Sequence, residues 1–200
     1  MRMREKQKEL VRSALIQAGM KLYETQGFAK TTVDQITTTS GVAKGTFYNY
    51  FDTKEDLLVA GMAIMQAQDT SLASARVLQP DTLTEKLDRF IDWSASWIQA
   101  HPELAFIWSL ERLRRGLEDH SPNSFDGQLR AIVVSGQQNG ELRQDRPAEQ
   151  LFLEMTALFV FAIACWVHHE RQYELAAAIK DSIRTYLTGA IPSKSGGDLE

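Results

Sequence analysis

The densest chemistry in the chain lies between Thr32 and Lys54, centred on Gly41-Val42-Ala43-Lys44-Gly45-Thr46-Phe47-Tyr48-Asn49-Tyr50-Phe51. The spacing predicts two short helices, of roughly seven and eight residues, joined by Ser40-Gly41-Val42 as a helix-turn-helix, the glycine allowing the left-handed backbone that bends the chain. Phe47 and Phe51 are four apart and so point together toward Ile36 and Val42. Gly45 and Asn49 then fall on the opposite side, flanked by Thr46 and Tyr48, with Lys44 at the N-terminal end. This outer face is polar and carries no acidic residue before Asp52. It suits a DNA major groove. Lysine can reach guanine O6 and N7, the threonine methyl can meet a thymine methyl, and hydroxyls and amides can read base edges or hold phosphates. Thr32 and Thr53 head helices whose free N–H groups attract phosphate, so backbone binding does not need many lysines. The basic run Arg2, Arg4, Lys6, Lys8 adds positive charge, weakened by Glu5 and Glu9. The alternative for the same residues is a structural tri-helical unit with a solvated polar face.

Catalytic chemistry finds little support. Lys44-Gly45-Thr46 places its lysine before the glycine and is no Walker motif, and the chain has neither a dinucleotide glycine fingerprint nor a Gly-x-Ser-x-Gly elbow. His168 and His169 are adjacent and point about 100° apart on a helix, a poor start for a shared metal. His101 and His120 sit at helix ends, where a solvated or capping role is expected. Cys165 is the single cysteine, which excludes an internal disulfide and a cysteine-rich metal cluster and fits a reducing compartment. No catalytic residue, metal or cofactor is expected.

The average charge of the chain argues against a DNA partner, with a formal net of -4 over 200 residues. Its distribution argues the other way. Residues 1–50 carry eight Lys/Arg against four Asp/Glu, while the remaining residues carry fourteen against twenty-two. A basic N-terminal quarter on an acidic remainder fits one small module that meets a polyanion and a larger part that does something else. The first ten residues are charged with no apolar run behind them, so neither secretion nor an anchor is expected, and a cytoplasmic location follows. Residues 151–167 are apolar but interrupted by Glu154 and Thr156, which suggests a helix buried within protein rather than a membrane span.

The elements that must position the motif are all helices. Apolar residues recur at helical spacing from Glu5 to Gln26, on a face of Leu10, Val11, Ala14, Leu15, Ala18, Leu22 and Tyr23, and Gly27 ends that run. Thr32 with Gln35, Thr53 with Asp56 and Thr82 with Glu85 have capping-box spacing, each opening a helix. The helix after Thr82 turns Leu87, Phe90, Ile91, Ser94 and Ile98 inward and stops at His101-Pro102. Further helices are expected from Pro102 to about Arg115, from Phe125 to Gln138, from Pro147 to about His169 and from Tyr173 to Thr188. The fold class is therefore all-α with about nine helices. The division expected is a helix-turn-helix domain over 1–52, a larger helical domain over 53–190, and a disordered tail over 191–200.

The quoted motif, followed by Thr53-Lys54-Glu55-Asp56-Leu57-Leu58 and preceded by Gly27-Phe28, Thr31-Thr32-Val33 and Ile36, resembles the TetR family of bacterial transcription regulators. The resemblance is specific over about residues 8–60. It implies that Lys44, Gly45, Thr46 and Tyr48 approach bases, while Thr32, Asn49, Tyr50 and Lys54 hold phosphates. It also implies a repressor that binds a palindromic operator as a homodimer and is released by a small effector. One helix-turn-helix contacts few base pairs, and two in a dimer sit ~34 Å apart. The last two helices are candidates for the dimer interface, through Leu175/Ala176, Ile179, Ile183 and Tyr186/Leu187 and through the strongly apolar helix before them. The aromatic residues Trp93, Trp97, Phe106, Trp108, Phe125, Phe159 and Trp166 read as ordinary core when taken alone. The resemblance turns them into a candidate pocket for an apolar or aromatic effector, with Glu111 or Glu154 beside a tryptophan if the ligand is cationic. The rival is a helical small-molecule binder or enzyme whose N-terminal unit is only structural.

Overall fold

The computed structural model describes residues 2–77, 82–119, 121–122 and 124–188, and the tail expected beyond 190, His120 and Asn123 lie outside them. Nine helices and no strand occur among the described residues: α1 Arg2–Gln26, α2 Val33–Ser40, α3 Lys44–Phe47, α4 Lys54–Val77, α5 Leu83–Ala100, α6 Pro102–Arg114, α7 Phe125–Gln138, α8 Ala148–His168 and α9 Leu175–Thr188. Their ends follow local chemistry. Thr32 and Thr82 form complete capping boxes with Gln35 and Glu85. Thr53 does the same with Asp56, donating both its N–H and its hydroxyl to Oδ2 at 2.8 Å while its own oxygen accepts from the Asp56 N–H. Ser124 caps α7 through the Gly127 N–H. α2 stops at Gly41, whose φ of 69° is the left-handed turn that the glycine was expected to supply.

Helices α1, α2 and α3 pack with the first turns of α4 around Leu15, Ile36, Phe47, Leu57, Leu58 and Met62, all without solvent exposure. The α1 face differs in part from expectation: Ile16 and Met20 are buried on it, whereas Leu10 is 58% exposed. Gly19 and Met20 on this face lie where Leu57 and Gly61 of α4 come close. The crossing is close. A methyl group at Gly61 of α4 would lie 2.5 Å from Met20 Sδ, so a larger residue there would require the Met20 side chain to shift.

The remaining helices form the larger bundle. α4 packs against α5, α6 and α7, α8 against α6, α7 and α9, and α9 against α5. α8 is long and apolar enough to cross a membrane by length and composition, yet half of that stretch is buried against its neighbours within the bundle. The apolar stripe of α9 corrects one expectation. Leu175, Ala176, Ile179 and Ile183 are buried within the protomer and belong to its core, while Tyr186 and Leu187 of the same stripe are half-buried. The face left uncovered belongs to α8, where Leu153 is 43% and Phe161 70% exposed with exposed Ala157 between them at four-residue spacing.

Candidate functional site

Two places concentrate chemistry, and α4 joins them. The first is the face around α3. Phe47 and Phe51 pack with ring centres 5.7 Å apart in the small core as expected, with Val42 half-buried against that core. The helix itself is half the expected length. It ends at Phe47, and the chain continues in tight turns through Asn49 N–H to Thr46 O, Tyr50 N–H to Phe47 O and Phe51 N–H to Phe47 O. Ala43 offers no side-chain cap, and Gly45 costs ~1 kcal/mol relative to alanine inside a helix. The turn nevertheless keeps Phe51 over Phe47, so the outer face survives.

Lys44, Gly45, Tyr48 and Asn49 are exposed on that face, Thr46 and Tyr50 are half-buried, and Thr32 is exposed at the head of α2. Gly45 has no positive φ and nothing within 4 Å of where a Cβ would stand. The fold therefore does not require glycine there. Lys44 is not free: its ammonium pairs with Asp34 at 2.6 Å, both side chains exposed, and the hydrogen bond to Asp34 holds it above the usual lysine range. Lys54 is more deeply committed. Its Nζ donates to the Phe28 and Thr31 carbonyls at 2.8 and 3.0 Å and sits 4.3 Å from the centre of the Phe28 ring, which leaves one of three N–H donors. Tyr23 Oη donates to the Lys54 carbonyl at 2.8 Å, tying α1 to the start of α4.

The second place is a cavity of about 360 Å³ between α4, α6 and the start of α7. Val59, Ala63 and Gln66 come from α4, Trp108 and Arg112 from α6, Arg115, Leu117, Glu118 and Asp119 from the turn after it, and Ser124, Phe125 and Asp126 from the head of α7. Arg112 and Asp126 form an ion pair on its wall, with side chains only 8% and 2% exposed. Arg112 Nε also donates to Asp126 Oδ2. The guanidinium lies against two rings, 4.2 Å from the centre of Trp108 and 4.6 Å from that of Phe125. Spacing along the chain carries no sign of this pair, because each partner is explained locally as one more charge in a helix.

Five of the expected aromatics do meet. Trp97 contacts Trp108, Trp108 contacts Phe125, and Phe125 contacts Phe159, with Phe90 linking Trp93, Phe125 and Phe159. Of the seven expected pocket aromatics Trp108 and Phe125 line the cavity, and Glu111 and Glu154 are not in its lining. Phe106 is half-buried outside this chain of rings. Trp166 lies at the other end of α8, donating to the Tyr173 carbonyl under Arg171. Glu111 pairs with Arg114 and Arg115, and Glu154 with Arg146 and Tyr186, so both carboxylates already hold cationic or hydroxyl partners.

A tri-helical reading head joined through one long helix to a helical bundle with a cavity defines a helix-turn-helix transcription regulator with a sensor domain. Comparison with known proteins points the same way. Residues 15–60 match the bacterial regulatory proteins of the tetR family. The fatty acid metabolism regulator protein of Bacillus subtilis is 26% identical over 199 residues, covering 94% of this chain and all of that protein. The HTH-type transcriptional repressor NicS of Pseudomonas putida is 24% identical over 184 residues, covering 87% of this chain and 82% of the repressor. Among solved structures, FadR of Thermus thermophilus in complex with lauroyl-CoA superposes with a TM-score of 0.79 at 21% identity, covering 94% of this chain and 100% of that one. FadR of Bacillus subtilis in complex with stearoyl-CoA gives 0.65 at 23% identity, covering 90% and 99%. The reading head thus carries the match to the tetR family of bacterial regulatory proteins, and the chain as a whole has the fold of the solved FadR structures.

Proposed function

We propose that the protein is a cytoplasmic, dimeric repressor that binds a palindromic operator through residues 1–52 and releases it when residues 53–190 bind an acyl-coenzyme A thioester. The observation that carries this reading is that one helix serves both places: α4 begins at the reading head and supplies Val59, Ala63 and Gln66 to the cavity. A ligand seated against α4 therefore acts on the element that aims the head. Lys44, Gly45, Thr46 and Tyr48 face the bases, and Thr32, Asn49, Tyr50 and the remaining Lys54 donor hold the phosphates. The open space at Gly45 supports close approach of DNA, and Lys44 exchanges Asp34 for the duplex on binding. Phe161 and Leu153 of α8 meet a second copy.

The fatty-acid regulators with the same fold support the effector class. Apolar Trp108, Phe125, Leu117 and Val59 suit the apolar part of such a ligand, beside Arg112 and Arg115, which are already paired with Asp126 and Asp56. About 360 Å³ is roughly a dozen water-sized volumes at ~30 Å³ each, so the cavity takes one portion of such a thioester rather than the whole. Binding is tested by fluorescence anisotropy with a duplex selected from a random pool, at two salt concentrations and with or without lauroyl-CoA. A specific complex that weakens steeply with salt and dissociates with lauroyl-CoA is expected. The absence of any sequence preference, with Lys44→Ala and Tyr48→Ala inert, refutes the repressor; a complex indifferent to lauroyl-CoA and stearoyl-CoA refutes the effector class.

A further inference from the structure

Asp56 is the third residue of α4, and its two carboxylate oxygens serve different parts of the protein. Oδ2 accepts from Thr53, which follows the reading head by two residues and fixes the start of α4. Oδ1 accepts from Arg115 Nη2 at 2.5 Å. Arg115 closes α6 and lines the cavity. Burial pushes the Asp56 carboxyl up, but the Thr53 hydrogen bonds and the Arg115 charge outweigh it and hold the group below the usual carboxylate range. The bond thus joins two ionised groups.

The turn that carries Arg115 is set in an unusual conformation. Gly116 and Leu117 both have positive φ, 76° and 57°, and Leu117 is buried against the cavity at 4% exposure. A left-handed leucine is strained and persists only where its surroundings hold it. Arg130 supplies part of that hold, donating to the Leu117 carbonyl at 2.6 Å. A ligand that displaces the Leu117 side chain removes a reason for the strained turn, and Arg115 is two residues away.

We propose that the Arg115–Asp56 ion pair is the contact by which the α6 wall of the cavity positions the reading head, with Arg115 as a positioning residue for operator binding. This rests on the reading of the protein as an effector-released repressor. When the pair is closed, the start of α4 is fixed against the bundle and both heads of a dimer keep one spacing. When the turn moves, Asp56 keeps its cap on Thr53 but loses its tie to α6, and the heads no longer share that spacing. The coupling is a difference in contacts between two states, which is what linkage between two sites requires.

The test uses the full chain and the selected duplex. Arg115→Met keeps the stem and removes the charge; Asp56→Asn keeps an acceptor for Thr53 and weakens the pair; Arg115→Lys restores a charge. Without acyl-CoA, Arg115→Met and Asp56→Asn are expected to weaken duplex binding about fivefold, the most that a partly exposed pair supplies, while their Tm values stay within a few degrees of the parent. Arg115→Lys recovers most of the affinity. The ratio of affinities with and without lauroyl-CoA falls toward one in the first two variants. Duplex affinities within twofold of the parent for both, or no recovery with lysine, overturn the inference. If the parent binds the duplex but ignores lauroyl-CoA, the effector reading fails, and the affinities without ligand still decide the role of the pair. Should Arg115→Met not fold, Asp56→Asn carries the same comparison.

Discussion

Arg112→Met is the sharpest perturbation of the sensor bundle, because it leaves a carboxylate uncompensated where solvent does not reach. Asp126 has 2% of its side chain exposed, and Arg112 is its ion-pair partner. Removing one member of a buried pair costs about 3–5 kcal/mol, whereas replacing both with apolar groups is often nearly neutral. Asp126 keeps one source of support, the N-terminus of α7 in whose first turn it lies, worth ~0.3–1 kcal/mol. The net cost is about 3 kcal/mol. For a chain of 200 residues that is a fall in Tm of roughly 6–12 °C at about 2–4 °C per kcal/mol. Asp126→Asn is expected to cost about half as much. The amide oxygen still accepts from the guanidinium, and the cation remains against Trp108 and Phe125, an arrangement worth ~2 kcal/mol when desolvated. The double variant Arg112→Met/Asp126→Leu should melt above Arg112→Met alone. Differential scanning calorimetry at one protein concentration gives all four values. An Arg112→Met protein that melts within about 2 °C of the parent, or a double variant that melts no higher than Arg112→Met alone, would show that the pair is not buried and coupled as described.

Two further outcomes follow from the bundle. Phe161→Glu places a charge in the middle of the uncovered α8 face, where the native ring is 70% exposed in the protomer; sedimentation should show monomers with unchanged helicity, and persistence of a dimer would move the interface elsewhere. Tyr186 is raised to about 12, first by burial and then by its hydrogen bond to the Glu154 carboxylate and that group's charge. Its folded value lies above the unfolded one, so its contribution is fully present below pH ~10 and is lost as pH rises through about 12. Tyr186→Phe should flatten the fall in denaturant midpoint across that window, and an unchanged pH profile in the variant would assign the fall to other groups.

The sequence by itself determined what depends on neighbours along the chain. Thr32, Thr53 and Thr82 cap helices because the partner of each is three residues away, and Gly41 turns the backbone because of its own φ. The outer face of the reading head was legible for the same reason, since Phe47 and Phe51 define its inner side by spacing alone. The length of α3 was less legible, because a short helix without a cap is held by the core beneath it more than by its own propensity. Periodicity showed that α9 has an apolar stripe but not what covers it; packing against α5 and α8 decided that Leu175, Ala176, Ile179 and Ile183 are core and left α8 to face outward. The cavity belonged wholly to the tertiary structure. Arg112 and Asp126, Arg115 and Asp56, and the strained Leu117 come from separate helices or turns, and nothing local to any of them specifies its partner. Local rules set which surface could meet DNA, whereas the joining of distant elements through α4 set how a buried ligand could act on that surface.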